Sequence, residues 1–307
     1  MRIVFMGTPD YAAVTLKKLI DENYDIAAVF CQPDKPVGRK QLLTPPPTKE
    51  LAVKNNIPVY QPETLRDGVA FETIKNINPD VIVVVAYGKI LPENILQLPR
   101  YGCINGHASL LPHLRGSAPI QWAIVNGDKQ TGVTTQLMDK GIDTGAVLET
   151  AVTEIGSDET AEELFERLAE ISADLMLSTL KKAENNKLNP TVQDESEATY
   201  APIIKKEMAH LDFTETAEQI LNKVRGFYSW PCAFCFINGK RIKVIKAKVS
   251  DLKGEKCGVV LCSDEKLIVS CKDKSVEFVT VQPEGAKVMS ASQLLNGHNI
   301  PTGTTVN

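Results

Sequence analysis

The run VIVVVA at residues 81–86 is the tightest constraint on what this chain can fold into. It is apolar without a break and largely β-branched, so it has no polar side to turn toward water. Such a run suits a strand covered on both faces, as in the interior of a parallel sheet flanked by helices. Its surroundings agree. Arg2–Met6 is a short apolar run closed by Gly7, and Asp25–Cys31 is a second. Between them, Asp10–Asp21 carries Tyr11, Val14, Leu16, Leu19 and Ile20 at roughly helical spacing. Cys103–Asn105 and Gly132–Met138 read as further strands, with a helix over Ser117–Val125 between them. Strands alternating with helices predict βαβ units. Thr160–Glu184 is the longest helical pattern, and Thr160 and Glu163 have the spacing of a capping box.

Beyond residue 184 the pattern changes. Residues 185–207 hold two prolines, many polar residues and little periodicity, the composition of a connector. A helix near Thr214–Gly226 follows. Short β-rich runs come next, at Ala233–Ile237, Arg241–Ala247, Gly258–Cys262, Leu267–Cys271 and Val276–Val281, which suggest a small barrel. The predicted fold class is α/β. An open, Rossmann-like, mostly parallel sheet spans residues 1–189, a linker 190–208, and a small OB-like β-barrel 209–307.

Several function classes are disfavoured. No stretch approaches about eighteen uninterrupted apolar residues, and no signal-peptide layout precedes the first strand, so a cytoplasmic protein without a membrane span is expected. Cys232 and Cys235 form a C-x-x-C with no second pair at zinc-finger spacing. In the strand-like context WPCAFCF their side chains would point to opposite faces, so neither metal nor disulfide is expected. MGTPDYAA, after the first strand, has one glycine where a dinucleotide fingerprint needs three. A nucleotide cofactor is therefore not supported. Ligands of open α/β sheets bind beyond the carboxyl ends of the strands, which directs attention to the loops there.

One such loop is NGHASLLPHLRGSAP, Asn105 to Pro119. If strand geometry persists, Asn105, His107 and Ser109 point to one side. An asparagine amide can donate to a carbonyl oxygen gaining negative charge, and a histidine beside it can stabilise that charge or move a proton. Asp143, in MDKGIDTG, follows the next strand and could tune the histidine or relay a proton. The simpler readings are a structural histidine and a turn aspartate, since D-K-G and D-T-G are turn signals.

The run NGHASLLPHLRGSAPI resembles the signature of the folate-dependent formyltransferases, and DKGIDTGAV resembles that family's second signature. RIVFMGTPDYA and QPDKPVGR are similar to the same group. VRGFYSWP and the closing MSASQLL are similar to its branch acting on methionyl-tRNA. The resemblance runs from residue 1 to about 297. It implies transfer of a formyl group from 10-formyltetrahydrofolate, as donor co-substrate, to the α-amino group of methionine esterified to initiator tRNA. Electrostatic stabilisation with a proton shuttle suffices for that chemistry, so no metal is expected, and a monomer with no obligate protein partner is expected. By position, Asn105 would polarise the formyl oxygen. His107 would stabilise the tetrahedral oxyanion and share in proton transfer, and Asp143 would tune His107 and assist proton movement. Ser109, Leu110, Leu111 and Pro112 match the folate-binding run, and the backbone around Ile90 and Leu91 matches part of the pterin pocket. Gly106 stands where valine is expected, and His113 where a basic residue is common.

Residues 32–49, QPDKPVGRKQLLTPPPTK, carry Lys35, Arg39, Lys40 and Lys49. Composition alone reads as a solvated Pro-rich loop. The resemblance makes it the family's mobile insertion that grips the acceptor end, with Lys35, Arg39 and Lys40 on the tRNA. The chain has 34 basic and 38 acidic groups, yet residues 209–307 hold 13 basic against 10 acidic. Lys240, Arg241 and Lys243, with Lys205 and Lys206 from the linker, are the candidate RNA contacts there, on a barrel able to track a backbone. Lys246 and Lys248 follow closely, but alternation along a strand would divide the run between two faces. Trp230 reads as core or interface.

A formyltransferase acting on a nucleotide-linked amino sugar remains the nearest alternative, since it would share the catalytic segment. A purine-pathway transformylase leaves about 100 residues unexplained. A noncatalytic RNA-binding protein would not need Asn105, His107 and Asp143 together.

Overall fold

The computed structural model describes residues 1–38 and 41–307. Two compact units divide the chain, and each takes several stretches of it. The first holds Met1–Pro119, Thr131–Glu154 and Phe165–Ala201; the second holds Ile120–Gln130, Ile155–Leu164 and Pro202–Asn307.

The elements up to residue 201 are β1 (Arg2–Gly7), α1 (Asp10–Asp21), β2 (Asp25–Phe30), β3 (Lys35–Val37), β4 (Leu42–Thr44), α2 (Pro47–Lys54), β5 (Val59–Tyr60), α3 (Val69–Ile77), β6 (Val81–Val85), α4 (Glu93–Leu96), β7 (Cys103–His107), β8 (Arg115–Gly116), α5 (Pro119–Asn126), β9 (Gln130–Leu137), β10 (Ala146–Glu154), α6 (Ala161–Glu184) and β11 (Tyr200–Ala201). A seven-stranded sheet runs in the order β10-β9-β7-β6-β1-β2-β5. The VIVVV strand β6 is buried at every position and pairs in parallel with β1 and β7, as its unbroken apolar run requires. Ile82 and Val84 pack with Val4, Met6, Phe30 and Ile74 in one core. The chain leaves β1 for β2 and β5 on one side, then returns to β6 and β7 on the other. The carboxyl ends of β1 and β6 therefore flank the switch in strand order where such sheets receive ligands.

Two strands depart from the simple alternation. β9 runs antiparallel to β7, although a helix separates them in sequence. β10 lies at the sheet edge, partly exposed along its length, so its residues AVLETAVTE carry too little apolar pattern to mark a strand. The capping box is present: Thr160 N–H donates to Glu163 Oε2 at 2.9 Å and Glu163 N–H donates to Thr160 Oγ1 at 3.3 Å.

The first half of the expected linker is built into the first unit. Val147 and Thr191 exchange two backbone hydrogen bonds, β11 pairs in parallel with β8, and Ser117 N–H donates to the Ala201 carbonyl. The first unit therefore extends to Ala201, within the expected linker of residues 190–208. Composition concealed this because the bonds are made by main chain, which leaves no side-chain pattern.

The second unit contains α7 (Ala217–Gly226), β12 (Phe234–Ile237), β13 (Lys240–Ser250), β14 (Val260–Cys262), β15 (Leu267–Ser270), β16 (Ser275–Pro283), β17 (Met289–Ser290) and α8 (Ala291–Gly297). The sheet order is β12-β13-β16-β15-β14, with β17 on β16. The last residues close it. Asn307 and Phe236 exchange backbone bonds on one side, and Val306 N–H donates to Gly258 while Val260 N–H donates to Thr304 on the other. The sheet becomes a barrel around Ile242, Val244, Val269, Phe278 and Val281. α5 and residues 155–164 join this unit through α7. A Cβ on Gly226 would lie 2.6 Å from the Val125 side chain, and Arg225 donates to the carbonyls of Gly156 and Glu159.

Candidate active site

β7 delivers Asn105 and His107 two residues apart, so both side chains leave one face of the sheet. Across the antiparallel pair, Asn105 sits opposite Gln136 and His107 opposite Thr134. Four polar side chains therefore gather beside the wholly apolar β6. The loop after β9 brings Asp143 back to them. Asp143 has φ 54°, a left-handed conformation that aspartate adopts more readily than most residues. Its Oδ1 accepts from Gln136 Nε2 at 2.8 Å and Asn105 Nδ2 at 3.4 Å, and lies 3.5 Å from His107 Nδ1. Its Oδ2 accepts the Gly116 N–H at 2.9 Å. His107 is buried, and its Nε2 lies 3.0 Å from the Leu114 carbonyl oxygen. A carbonyl only accepts, so Nε2 carries a proton and Nδ1 is the nitrogen facing the carboxylate.

Asn105, His107 and Asp143 thus converge. Ser109 does not join them, because β7 ends at His107. Its hydroxyl is buried and donates to the His113 carbonyl at 2.6 Å, bracing the loop internally. The Ser109–Pro112 run is pinned by its main chain. Thr134 Oγ1 accepts the Leu111 N–H at 3.1 Å and donates to the Ser109 carbonyl at 2.7 Å, while the Pro112 carbonyl accepts from Thr199 N–H. Leu110 and Pro112 are partly exposed on this loop. Ile90 is exposed and Leu91 buried in the sheet core, both in the stretch after β6. The carbonyl of Tyr87, just ahead of them, accepts from Thr8 Oγ1 and Gln32 Nε2, which ties together the carboxyl ends of β1, β2 and β6.

The sequence reading missed the supports of this site: Gln136, Arg115, Gln193 and Thr199. Gln136 left a trace, since TTQ places three polar residues in succession inside β9, and all three are buried. The other three left none.

The RNA candidates fall on both units. Lys35 is exposed on the β3–β4 hairpin together with Val37, Leu42 and Leu43. Arg39 and Lys40 lie outside the described residues. Lys49 is not part of a positive surface: its ammonium donates to both oxygens of Asp34 and to Gln61, each at 2.8 Å. Lys205, Lys206 and Lys240 are exposed. The Arg241 guanidinium lies 3.8 Å from the centre of the Phe234 ring, which also stacks with His210. The expected division of the basic run on β13 is confined to its start, where Lys240 lies opposite the inward Ile237 and shares the parity of Ile242 and Val244. The pairing of β13 with β16 slips around Lys246, so the inward residues are Ile242 and Val244 before the slip and Ala247 after it. The bulge changes parity and leaves Arg241, Lys243, Lys246 and Lys248 on the outward side. Lys248 is paired with Glu277 at 3.2 Å. Trp230 is 54% exposed rather than packed in a core.

Among the described residues no group of three or more His, Cys, Asp or Glu is placed to hold a metal, and no helix is long and apolar enough to cross a membrane. All seven cysteines are free. Cys232 precedes β12 and Cys235 lies within it, and both are buried.

Two family models match the chain: formyl transferase over residues 1–180, and the formyl transferase C-terminal domain over residues 203–299. The methionyl-tRNA formyltransferase of Caldanaerobacter subterraneus is 50% identical over 306 residues, covering 99% of each chain. That of Clostridioides difficile is 46% identical over 307 residues, again 99% of each. Among solved structures, an N-formyltransferase from Helicobacter canadensis, in complex with folinic acid and dTDP-3-aminofucose, has the same fold. Its TM-score is 0.67 at 20% identity, over 92% of this chain and 99% of that one.

Proposed function

The chain belongs to the formyl transferase family, and on that premise we propose that it moves the formyl group of 10-formyltetrahydrofolate to the α-amino group of methionine on initiator tRNA, for translation initiation. The observation that carries the chemical assignment is the convergence of Asn105, His107 and Asp143 at one point on the carboxyl side of the sheet.

Formyl transfer needs a neutral amine, a stabilised oxyanion and a path for one proton. Asn105 spends one N–H on Asp143, and its second is available to the formyl oxygen. As the amine adds, the carbonyl carbon becomes tetrahedral; the second Asn105 N–H meets its oxyanion, and His107, whose Nε2–H is held by Leu114, stabilises it by charge when Nδ1 is also protonated. Asp143 takes the proton leaving the amine, directly or through water. The bond from carbon to the folate nitrogen then breaks, and that nitrogen receives the proton. No covalent enzyme intermediate, metal or cysteine is required. Ser109, Leu110, Leu111 and Pro112, with the main chain at Ile90 and Leu91, hold the folate.

The first unit carries catalysis and the second faces RNA. Lys35, Arg39 and Lys40 on one, and Lys205, Lys206, Lys240, Arg241 and Lys243 on the other, contact tRNA phosphates. The enzyme works as a monomer in the cytoplasm. An amino-sugar nucleotide as acceptor is the second reading, favoured only by fold likeness at 20% identity. The test incubates the protein with 10-formyltetrahydrofolate and either methionyl-initiator tRNA or a nucleotide-linked amino sugar. Formylmethionine on the tRNA supports the proposal; formylated sugar with unreacted tRNA overturns it.

A further inference from the structure

A buried polar network lies behind the site and has no part in the chemistry above. Arg115 is fully buried. Its Nε and Nη2 donate to Gln193 Oε1 at 3.0 and 2.8 Å, and its Nη1 and Nη2 donate to the two oxygens of Glu195 at 2.9 and 2.8 Å. Gln193, buried too, spends both amide N–H groups on main-chain carbonyls, of Asp143 at 2.8 Å and of Gly145 at 2.7 Å. An arginine only donates, so the Gln193 oxygen must face Arg115 and its nitrogen must face the loop. The loop has little slack: a Cβ on Gly145 would lie 2.0 Å from the Leu137 carbonyl oxygen. The same segment also stands behind His107. Thr199 Oγ1 accepts the Leu114 N–H at 2.8 Å, and the Leu114 carbonyl holds the His107 ring.

We propose that Gln193, held by Arg115, is a positioning residue for formyl transfer. It fixes the main chain of Asp143 in its left-handed conformation, so that one carboxylate oxygen reaches both Asn105 and His107. The inference rests on the catalytic reading of those three residues. It makes residues 190–201, polar and without periodicity, part of the active-site support.

Gln193→Glu keeps the shape and the Arg115 contact but replaces the two N–H donors with an oxygen that repels both carbonyls. Turnover should fall by about 10²-fold, as for a catalytic group displaced by about 1 Å, with a shifted pH profile of kcat. The KM for folate should stay within about twofold. The decisive comparison is the double variant. Gln193→Glu in an Asp143→Asn background should cost nothing further, because Gln193 acts only through Asp143; a general structural role would make the two losses multiply. Multiplying losses, or near-normal turnover of Gln193→Glu and Gln193→Ala with an unchanged pH profile, would overturn the inference while Asp143→Asn remained impaired. A near-normal Asp143→Asn enzyme would remove the catalytic reading and this inference with it.

Discussion

Asn105 and Gln136 face each other across the antiparallel β7–β9 pair, and both donate to the same oxygen of Asp143. The antiparallel direction of β9 is what permits this. It places Gln136 directly opposite Asn105, and its carboxyl end hands the chain to the loop that returns Asp143. The carboxylate is thereby held from the sheet side as well as from the Gly116 N–H.

His107→Ala and Asn105→Ala should each lower kcat by about 10²-fold or more, the loss expected for an oxyanion or proton-transfer partner. Circular dichroism should show the fold retained. Near-normal steady-state turnover in both variants would remove the assignment.

Replacing Lys35, Arg39 and Lys40 together by alanine should weaken tRNA binding and flatten its log–log salt dependence, by about one unit for each phosphate the variant no longer neutralises. Folate binding should hardly change. Coincident salt slopes for wild type and variant would make the β3–β4 hairpin a merely solvated one.

Deleting residues 303–307 removes the main-chain bonds that close the barrel and the buried Val306 side chain. A loss of about 2 kcal/mol or more is expected from burial and hydrogen bonding combined. Hydrogen exchange should accelerate in β12 and β14, and unchanged protection there would show that the tail does not close the sheet.

Glu195 lies below the ordinary glutamate range because Arg115 hydrogen-bonds its carboxylate. A depressed carboxyl contributes stability that is complete above the unfolded-state pKa and is lost as pH falls through the folded value. Wild type and Glu195→Gln should therefore differ in melting temperature at neutral pH and converge under acid conditions. A difference that does not shrink on acidification would mean that the ion pair is not its source.

The elements legible in the sequence share one property: their side chains meet a large, uniform surface. β6 is covered on both faces and so shows an unbroken apolar run, and α6 begins at a capping box made by residues three apart. Asn105 and His107 were legible as a pair because two residues on a strand share a face. Asp143 was legible only as a candidate, since its local sequence reads equally well as a turn.

By itself, the sequence determined the parallel sheet, the change to β-rich runs near the C-terminus, and the residue types that can perform formyl transfer. Tertiary structure alone decided that β9 runs antiparallel, that a bulge turns Lys246 and Lys248 outward, and that Gln193 reaches back to Asp143. The reason is physical. Burial of apolar side chains repeats along a strand or helix and leaves a period in the sequence. Bonds to main-chain carbonyls, slips of register and pairings across about fifty residues depend on where the backbone has already been carried, and they leave no period to read.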